Sequence, residues 1–228
     1  MKLKVLYLAR KNDKNCIILK KFLEKKNIKL KVFWTNKGKN ISRANIFKKK
    51  YDLIFCYRSY LILNKKEILQ AKIAAINIHP GPPKYRGTGC LNYALFNSEK
   101  KYGLTIHLID VKVDSGKIIF HKDFLIGKND NVEKLLKVTH IQCLKYSKII
   151  ILKIIKNVDY IKTLIQKFRN TSWSKNIYNK KYLEKFYEIK INKKTHDKMY
   201  KKIKATYYKD FKPFILINKK KYYINEKR

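Results

Sequence analysis

The sequence predicts an α/β fold: a mainly parallel, Rossmann-like sheet flanked by helices and followed by a short C-terminal helix and hairpin. Three observations predict it. Short runs rich in Val, Ile, Leu and Phe alternate with segments of helical spacing through the first half of the chain. A dense Pro and Gly segment, PGPPKYRGTG at residues 80–89, interrupts that alternation directly after a strand. Of 228 residues, 45% are hydrophobic, enough for a sizeable core.

Leu3 to Leu8 is a short apolar strand. From Cys16 to Lys26, residues Ile18, Leu19, Phe22 and Leu23 recur at helical spacing. Leu30 to Trp34 alternates as a second strand, and Asp52 to Tyr57 is a buried one. Leu63 to Gln70 is a short helix capped by Asn64, and Ala74 to His79 is another strand. Residues 80–89 hold three of the four prolines and three of the seven glycines, a density that neither a helix nor a central strand tolerates. A rigid irregular loop therefore leaves the carboxyl end of a strand, where open α/β sheets place their ligands. A helix at Asn92 to Asn97 and strands at Gly103 to Asp110 and Lys117 to Ile126 follow. Asn131 caps a long amphipathic helix running to about Lys156. Beyond about residue 165 the chain becomes polar and irregular. It then forms a short helix at Asp197 to Lys204 and a hairpin of Phe214 to Ile217 and Tyr222 to Ile224 around Asn218 to Lys221. Residues 1–165 are thus the core and 166–228 an extension packed on it, since so short a segment rarely folds alone.

The formal net charge is +40, which invites a nucleic-acid partner. Only six of the 56 basic residues are Arg, however, and surfaces that grip phosphates or base edges usually use Arg forks as well. Lys, Ile, Asn and Tyr are all abundant and share A/T-rich codons, so the charge reads chiefly as Lys placed on solvated faces, with attraction for an anionic partner as the alternative. The four cysteines form no C-x-x-C pair and have no His at ligand spacing, which argues against a zinc site or a disulfide framework. No apolar run approaches the ~20 residues that span a bilayer. The opening MKLKVLYLAR lacks a signal-peptide core and cleavage site, so a cytoplasmic location is expected. The first strand is followed by Arg10-Lys11-Asn12-Asp13 without glycine, and neither a dinucleotide fingerprint nor a P-loop is present.

The chemistry concentrates between Asn77 and Gly116. Asn77 and His79 are two apart on one strand, so their side chains share a face at its end. Asp114 lies in the turn Val113-Asp114-Ser115-Gly116 between two strands. An amide can stabilise an oxyanion, an imidazole can move a proton near neutral pH, and a carboxylate can orient the imidazole or accept the proton through water. Singly, each also fits a cap, a satisfied polar residue or a common turn. Their combination around PGPPKYRG points to a catalytic trio of Asn77, His79 and Asp114.

The stretch Ile76-Asn77-Ile78-His79-Pro80-Gly81-Pro82-Pro83-Lys84-Tyr85-Arg86-Gly87 resembles the signature of the folate-dependent formyltransferases: Asn-x-His-Pro, a short loop with a further Pro, then an aromatic, a basic residue and Gly. Tyr102 to His107, Val113 to Ile119 and Asp52 to Ile62 resemble the family's later strand, its Asp-x-Gly turn and its pterin-holding strand and loop. Many members carry Ser-Leu-Leu-Pro after His-Pro, where this chain has Gly81-Pro82-Pro83. The resemblance implies the formyltransferase fold and 10-formyltetrahydrofolate as co-substrate, with no metal. It implies a folate site at Tyr57, Arg58, Leu61, Ile62, Leu63, Ser115 and Gly116.

Within that family the chain is most similar to the enzymes that formylate nucleotide-linked amino sugars. Gly89 to Asn97 resembles their Leu-Asn-aromatic helix, and Tyr200 to Thr206 with Pro213 and the hairpin resembles their C-terminal piece. Methionyl-tRNA formylation, purine formylation and a non-catalytic nucleic-acid-binding role are the alternatives. For a nucleotide-sugar substrate, the expected contacts are Arg10 and Lys11 after the first strand, Lys84, Tyr85 and Arg86 in the loop, and Asn92 on the next helix. Arg86 could equally brace the loop through carbonyl hydrogen bonds. A homodimer is compatible with the family; a membrane partner is not expected.

Overall fold

The structure, a computed structural model, describes residues 2–38, 43–191, 196–209 and 211–225. A six-stranded sheet forms its centre, in the order β2-β1-β3-β4-β6-β7. Its strands are β1 (Leu3–Arg10), β2 (Ile28–Thr35), β3 (Tyr51–Tyr57), β4 (Ala71–His79), β6 (Lys101–Leu108) and β7 (Ile118–Leu125). The first three joints are parallel and the β4–β6 and β6–β7 joints antiparallel, so β6 alone runs against the others. The expected mainly parallel sheet is present, with one reversed strand next to its edge.

β1 and β3 are buried almost end to end because both sheet faces are covered. On one face, Val5, Tyr7, Leu53, Phe55, Ile76 and Ile78 pack with Leu19, Leu23, Cys143, Ile150 and Ile154 of helices α1 (Lys14–Glu24) and α5 (Val132–Lys156). On the other, Leu6, Leu8, Ile54, Cys56 and Ala75 pack with Ile46, Leu61 and Leu63. α5 buries Leu135, Thr139, Cys143, Ser147 and Ile150, a stripe at helical spacing, and Asn131 caps it as expected by accepting the Lys134 N–H. Asn64 and Glu67 form a reciprocal capping box on the single turn α3 (Lys65–Ile68).

The loop after β4 is not wholly irregular. Its β5 (Arg86–Gly87) pairs with β8 (Ile177–Tyr178) of the extension, beyond the helix α6 (Tyr160–Lys167). Gly87 has φ +88°, and a side chain there would collide with the Tyr178 carbonyl. Helix α4 (Cys90–Phe96) starts two residues before Asn92, and α2 (Arg43–Ile46) and α7 (Lys180–Phe186) add turns where the sequence shows no long period. α8 (His196–Thr206) packs on α4. The hairpin β9 (Phe214–Ile217) and β10 (Lys220–Tyr223) turns tightly on Asn218 and Lys219, both at positive φ, one pair shorter than the expected loop. Among the described residues, no helix is long and apolar enough to cross a membrane.

Candidate active site

Along one face of β4 the apolar Ala75 is followed by Asn77 and His79, so the stripe turns polar as the strand ends. Sheet register supplies a second imidazole. Asn77 lies opposite His107 of β6, and opposed residues project from the same face. His107 Nδ1–H donates to the Leu108 carbonyl at 2.7 Å, which leaves Nε2 to accept one amide hydrogen of Asn77 at 3.1 Å. The second amide hydrogen of Asn77 remains for the cleft that this residue lines.

Asp114 joins them from the turn before β7. Its backbone is left-handed, φ +47°, a conformation that costs a non-glycine residue about 1–2 kcal/mol. Arg86 holds it there: Nε donates to the Asp114 carbonyl at 2.6 Å and an Nη to that of Val113 at 3.2 Å. Asp114 Oδ2 accepts the Gly87 N–H at 2.9 Å and lies 3.3 Å from His79 Nδ1; Oδ1 lies 3.4 Å from His107 Nε2.

His79 is 4% exposed. Its Nε2 faces the Tyr85 carbonyl at 2.8 Å, so both ring nitrogens face oxygen acceptors. Closure of the loop requires glycine at 81, where a Cβ would stand 2.6 Å from that Nε2. Burial lowers the His79 pKa below the ordinary 6.5, although Asp114 and the Tyr85 carbonyl pull it upward. Burial would raise the Asp114 carboxyl; His79, His107 and the Gly87 N–H outweigh it and bring it down to about 2. At neutral pH the site therefore holds an ionised carboxylate beside a neutral imidazole that, on gaining a proton, finds an acceptor for each N–H.

A cleft of about 180 Å³ opens on this cluster. Asn77, His107 and Asp114 form its polar wall, and Cys56, Leu61, Ile62 and Leu63 its apolar wall. The segment after β3 is pinned by side chains: Thr35 Oγ1 accepts the Tyr60 N–H, Ser59 Oγ the Leu61 N–H, and Arg43 donates to the Ile62 carbonyl. Ile62 is 65% exposed at the rim, an uncovered apolar plate beside polar donors.

The structure thus brings together Asn77, His79 and Asp114 with Leu61, Ile62 and Leu63 of the expected folate site. It does not bring the others to the cleft. Strand alternation turns Tyr57 into the core under α5, on the face opposite Cys56. Arg58, at φ +54°, directs its guanidinium to Asp13 and His140. Ser115 closes on the Lys112 carbonyl, and the Gly116 carbonyl accepts the Trp173 indole N–H, so both shape the Asp114 turn.

Among the residues expected at a pyrophosphate, Arg86 is buried and committed to the carbonyls of Val113, Asp114 and Ser174, which is the bracing role. Tyr85 is buried, its hydroxyl shared with Glu99 and Asn97. Lys84 pairs with Glu99 at 2.5 Å. Asn92 donates to the Ala205 carbonyl at 2.7 Å, which ties α4 to α8, and it lines a separate cleft of about 260 Å³ with Cys90, Leu183 and Phe211. Arg10 stacks its guanidinium 4.4 Å from the Tyr60 ring centre, with Nε buried and without a partner; Lys11 is exposed.

Sequence reasoning does not place His107 or Trp173 in the catalytic centre. For His107 the strand pattern gives the face but not the register that sets it against Asn77. For Trp173, in a polar irregular stretch, no local signal exists. The four cysteines are free and buried, and among the described residues no group of His, Cys, Asp or Glu is placed to hold a metal ion.

Comparison with known proteins follows the same lines. A 119-residue segment is 33% identical to the bifunctional polymyxin resistance protein ArnA of Wigglesworthia glossinidia brevipalpis, covering 50% of this chain and 18% of that protein. A 72-residue segment is 43% identical to methionyl-tRNA formyltransferase of Thermodesulfovibrio yellowstonii, covering 31% of this chain and 23% of that one. The chain therefore spans under a quarter of either relative. Over the whole fold it resembles the N-formyltransferase of Helicobacter canadensis solved with folinic acid and dTDP-3-aminofucose, at a TM-score of 0.68 and 20% identity over 96% of this chain and 86% of that one. The model of the Formyl transferase family matches residues 7–158, most of the chain and all of the site just described, and the protein belongs to that family.

Proposed function

We propose that the protein transfers a formyl group from 10-formyltetrahydrofolate to the amine of a nucleotide-linked amino sugar. The proposed acceptors are dTDP-, UDP- or GDP-linked 4-amino-4,6-dideoxyhexoses, and the product serves surface polysaccharides such as O-antigen. The observation that carries formyl transfer is the cluster in which His79 and His107 both face Asp114 and Asn77 contacts His107, beside a cleft whose other wall is apolar. The fit to a folate is chemical. The pterin of a folate would find an apolar plate in Leu61 to Leu63, and the polar wall would be left for the N10-formyl group. Bound there, the folate supplies the formyl carbon as the electrophile.

The chain's own residues do the rest. Asn77 offers its uncommitted amide hydrogen to the oxygen on which negative charge develops as the amine attacks; such donors are worth about 10²–10³ in rate. His79 takes up the proton of the attacking nitrogen through a water at the Asp114 carboxylate, because Asp114 and not His79 lines the cleft, and Asp114 stabilises the imidazolium. The same imidazolium returns a proton to the leaving nitrogen. The lowered His79 pKa keeps the base free near neutral pH, so the acid limb of kcat/KM is expected below the ordinary imidazole value.

Two observations support a sugar acceptor. The extension folds back on the catalytic loop through β5–β8 and on α4 through Asn92, and it sets Trp173 against both imidazoles of the centre. The similarity to the Helicobacter canadensis enzyme, solved with a nucleotide amino sugar, covers this extension as well as the core. A second acceptor, methionyl-tRNA, is favoured by the 43% identity to the Thermodesulfovibrio enzyme and by the +40 charge. Soluble substrates of these kinds place the reaction in the cytoplasm, and the exposed Leu216, Tyr222 and Tyr223 of the hairpin suit a homodimer. The test is tetrahydrofolate release on incubation with 10-formyltetrahydrofolate and a panel of nucleotide amino sugars. Release with at least one sugar is expected; release with methionyl-tRNA and no sugar selects the second acceptor.

A further inference from the structure

We propose that Trp173 is a positioning residue through which the extension orients both imidazoles of the catalytic centre. Its indole stands edge-on to both: 5.6 Å and 75° from the His79 ring, 5.0 Å and 89° from that of His107. Edge-to-face aromatic contact favours one ring orientation over others. Orientation matters here because each ring uses its two nitrogens differently. A rotated His79 loses Asp114 and the Tyr85 carbonyl together, and a rotated His107 loses Asn77 and the Leu108 carbonyl.

The indole is itself held from three directions. Its Nε1–H donates to the Gly116 carbonyl at 2.7 Å, in the Asp114 turn. The adjacent Ser174 donates its N–H to the Pro83 carbonyl at 3.0 Å and accepts from Arg86 at 2.9 Å. The Arg86 guanidinium lies 6.0 Å from the indole ring. A core tryptophan whose sole role is to anchor the extension would not need to abut two imidazoles that differ in partner and tautomer.

The consequence is a specific electrostatic one. His79 is faced by Asp114 from the turn before β7, His107 from β6, Arg86 from β5, the Cys90 thiol from α4 and the Tyr85 carbonyl of its own loop. Trp173 brings an apolar ring against it from the extension. Taking the indole away admits water to the ring while Arg86 and the Gly87 N–H still hold Asp114, so the His79 titration moves upward toward the ordinary imidazole value.

The test is the titration of His79 in histidine-labelled protein by NMR, its signal identified by loss in His79→Gln. Trp173→Leu is expected to shift that titration upward, and Trp173→Phe, which keeps a ring, to shift it less. Leu183→Ala loosens the extension where Leu183 packs on Gly89, away from both imidazoles, and is expected to leave the titration in place. An unchanged titration in Trp173→Leu, or an equal shift in Leu183→Ala, overturns the proposal. Should Trp173→Leu not fold, Trp173→Phe carries the comparison, and no shift in it counts against the proposal. A kinetic arm rests on the formyl-transfer function: Trp173→Leu lowers kcat by about 10- to 10²-fold with KM for the folate little changed. The NMR arm needs no substrate, so failure of that function would silence the kinetics and leave the titration decisive.

Discussion

Burial lowers the pKa of both His79 and His140, and the charge nearest each imidazole differs. His79, at the end of β4, has an ionised carboxylate 3.3 Å from Nδ1. His140, on α5 beneath the opposite face of the sheet, has the Arg58 guanidinium 2.9 Å from Nδ1, and Arg58 in turn pairs with Asp13, the cap of α1. Burial lowers both imidazoles. At His140, Arg58 outweighs Asp13 and presses the imidazole further, down to about 4, whereas at His79 Asp114 outweighs Arg86 and works against burial. His140 is therefore a fixed acceptor of an Arg hydrogen bond, while His79 can gain a proton and find its charge answered. A guanidinium beside His140 keeps that imidazole neutral, whereas the carboxylate beside His79 can answer a gained proton, which is the basis of its proposed role.

The largest expected effect that could break this contrast is in turnover. His79→Ala, Asn77→Ala and Asp114→Ala each lower kcat by about 10²–10³ in folded protein, whereas His140→Gln leaves kcat near that of the parent. A comparable loss in His140→Gln would erase the distinction. Next comes acid stability. The unfolded chain protonates an imidazole near pH 6.5, and folded His140 resists until about pH 4. Stability is therefore lost as pH falls through that window, by up to about 3 kcal/mol. Urea midpoints measured across the window should flatten in His140→Gln. Asp114 is shifted downward as well, but for a carboxyl that shift favours the folded state. Its contribution is present above the ordinary 3.8 and is lost as pH falls toward about 2, so its acid limb lies below that of His140.

Smaller effects test the seam between core and extension. Asn92→Ala leaves the Ala205 carbonyl without its donor and should cost about 1–3 kcal/mol in urea unfolding, with faster proteolysis around α8. Lys84→Ala removes an ion pair whose lysine is 64% exposed and should cost under about 1 kcal/mol, with little change in either KM. A selective rise in KM for the nucleotide sugar in Lys84→Ala would return that lysine to the substrate.

Much of the core was legible because its signals are local. The apolar runs of β1 and β3, the Asn131 and Asn64 caps and the stripe on α5 each need only neighbouring residues. The trio was legible because Asn77 and His79 share a face by strand period and Asp114 sits in a turn of recognisable composition. What escaped depends on distant pairing. The opposition of Asn77 to His107 is a matter of register, and the β5–β8 ladder joins segments about ninety residues apart. Arg86, Tyr85 and Asn92 were expected at a ligand because they are polar residues in or near a ligand-side loop. Their burial and their committed partners appear only once the extension is folded over them.

The central claim is that His79, held by Asp114, carries the proton in formyl transfer. A single-turnover experiment reaches it directly. 10-Formyltetrahydrofolate labelled with ¹³C at the formyl carbon is mixed with enzyme and the accepting amino sugar, and the label is followed by NMR. The account predicts that the label moves to the amine in the parent protein and stays on the folate over the same time in His79→Ala, with binding of both substrates retained. Transfer at the parental rate in His79→Ala would contradict it.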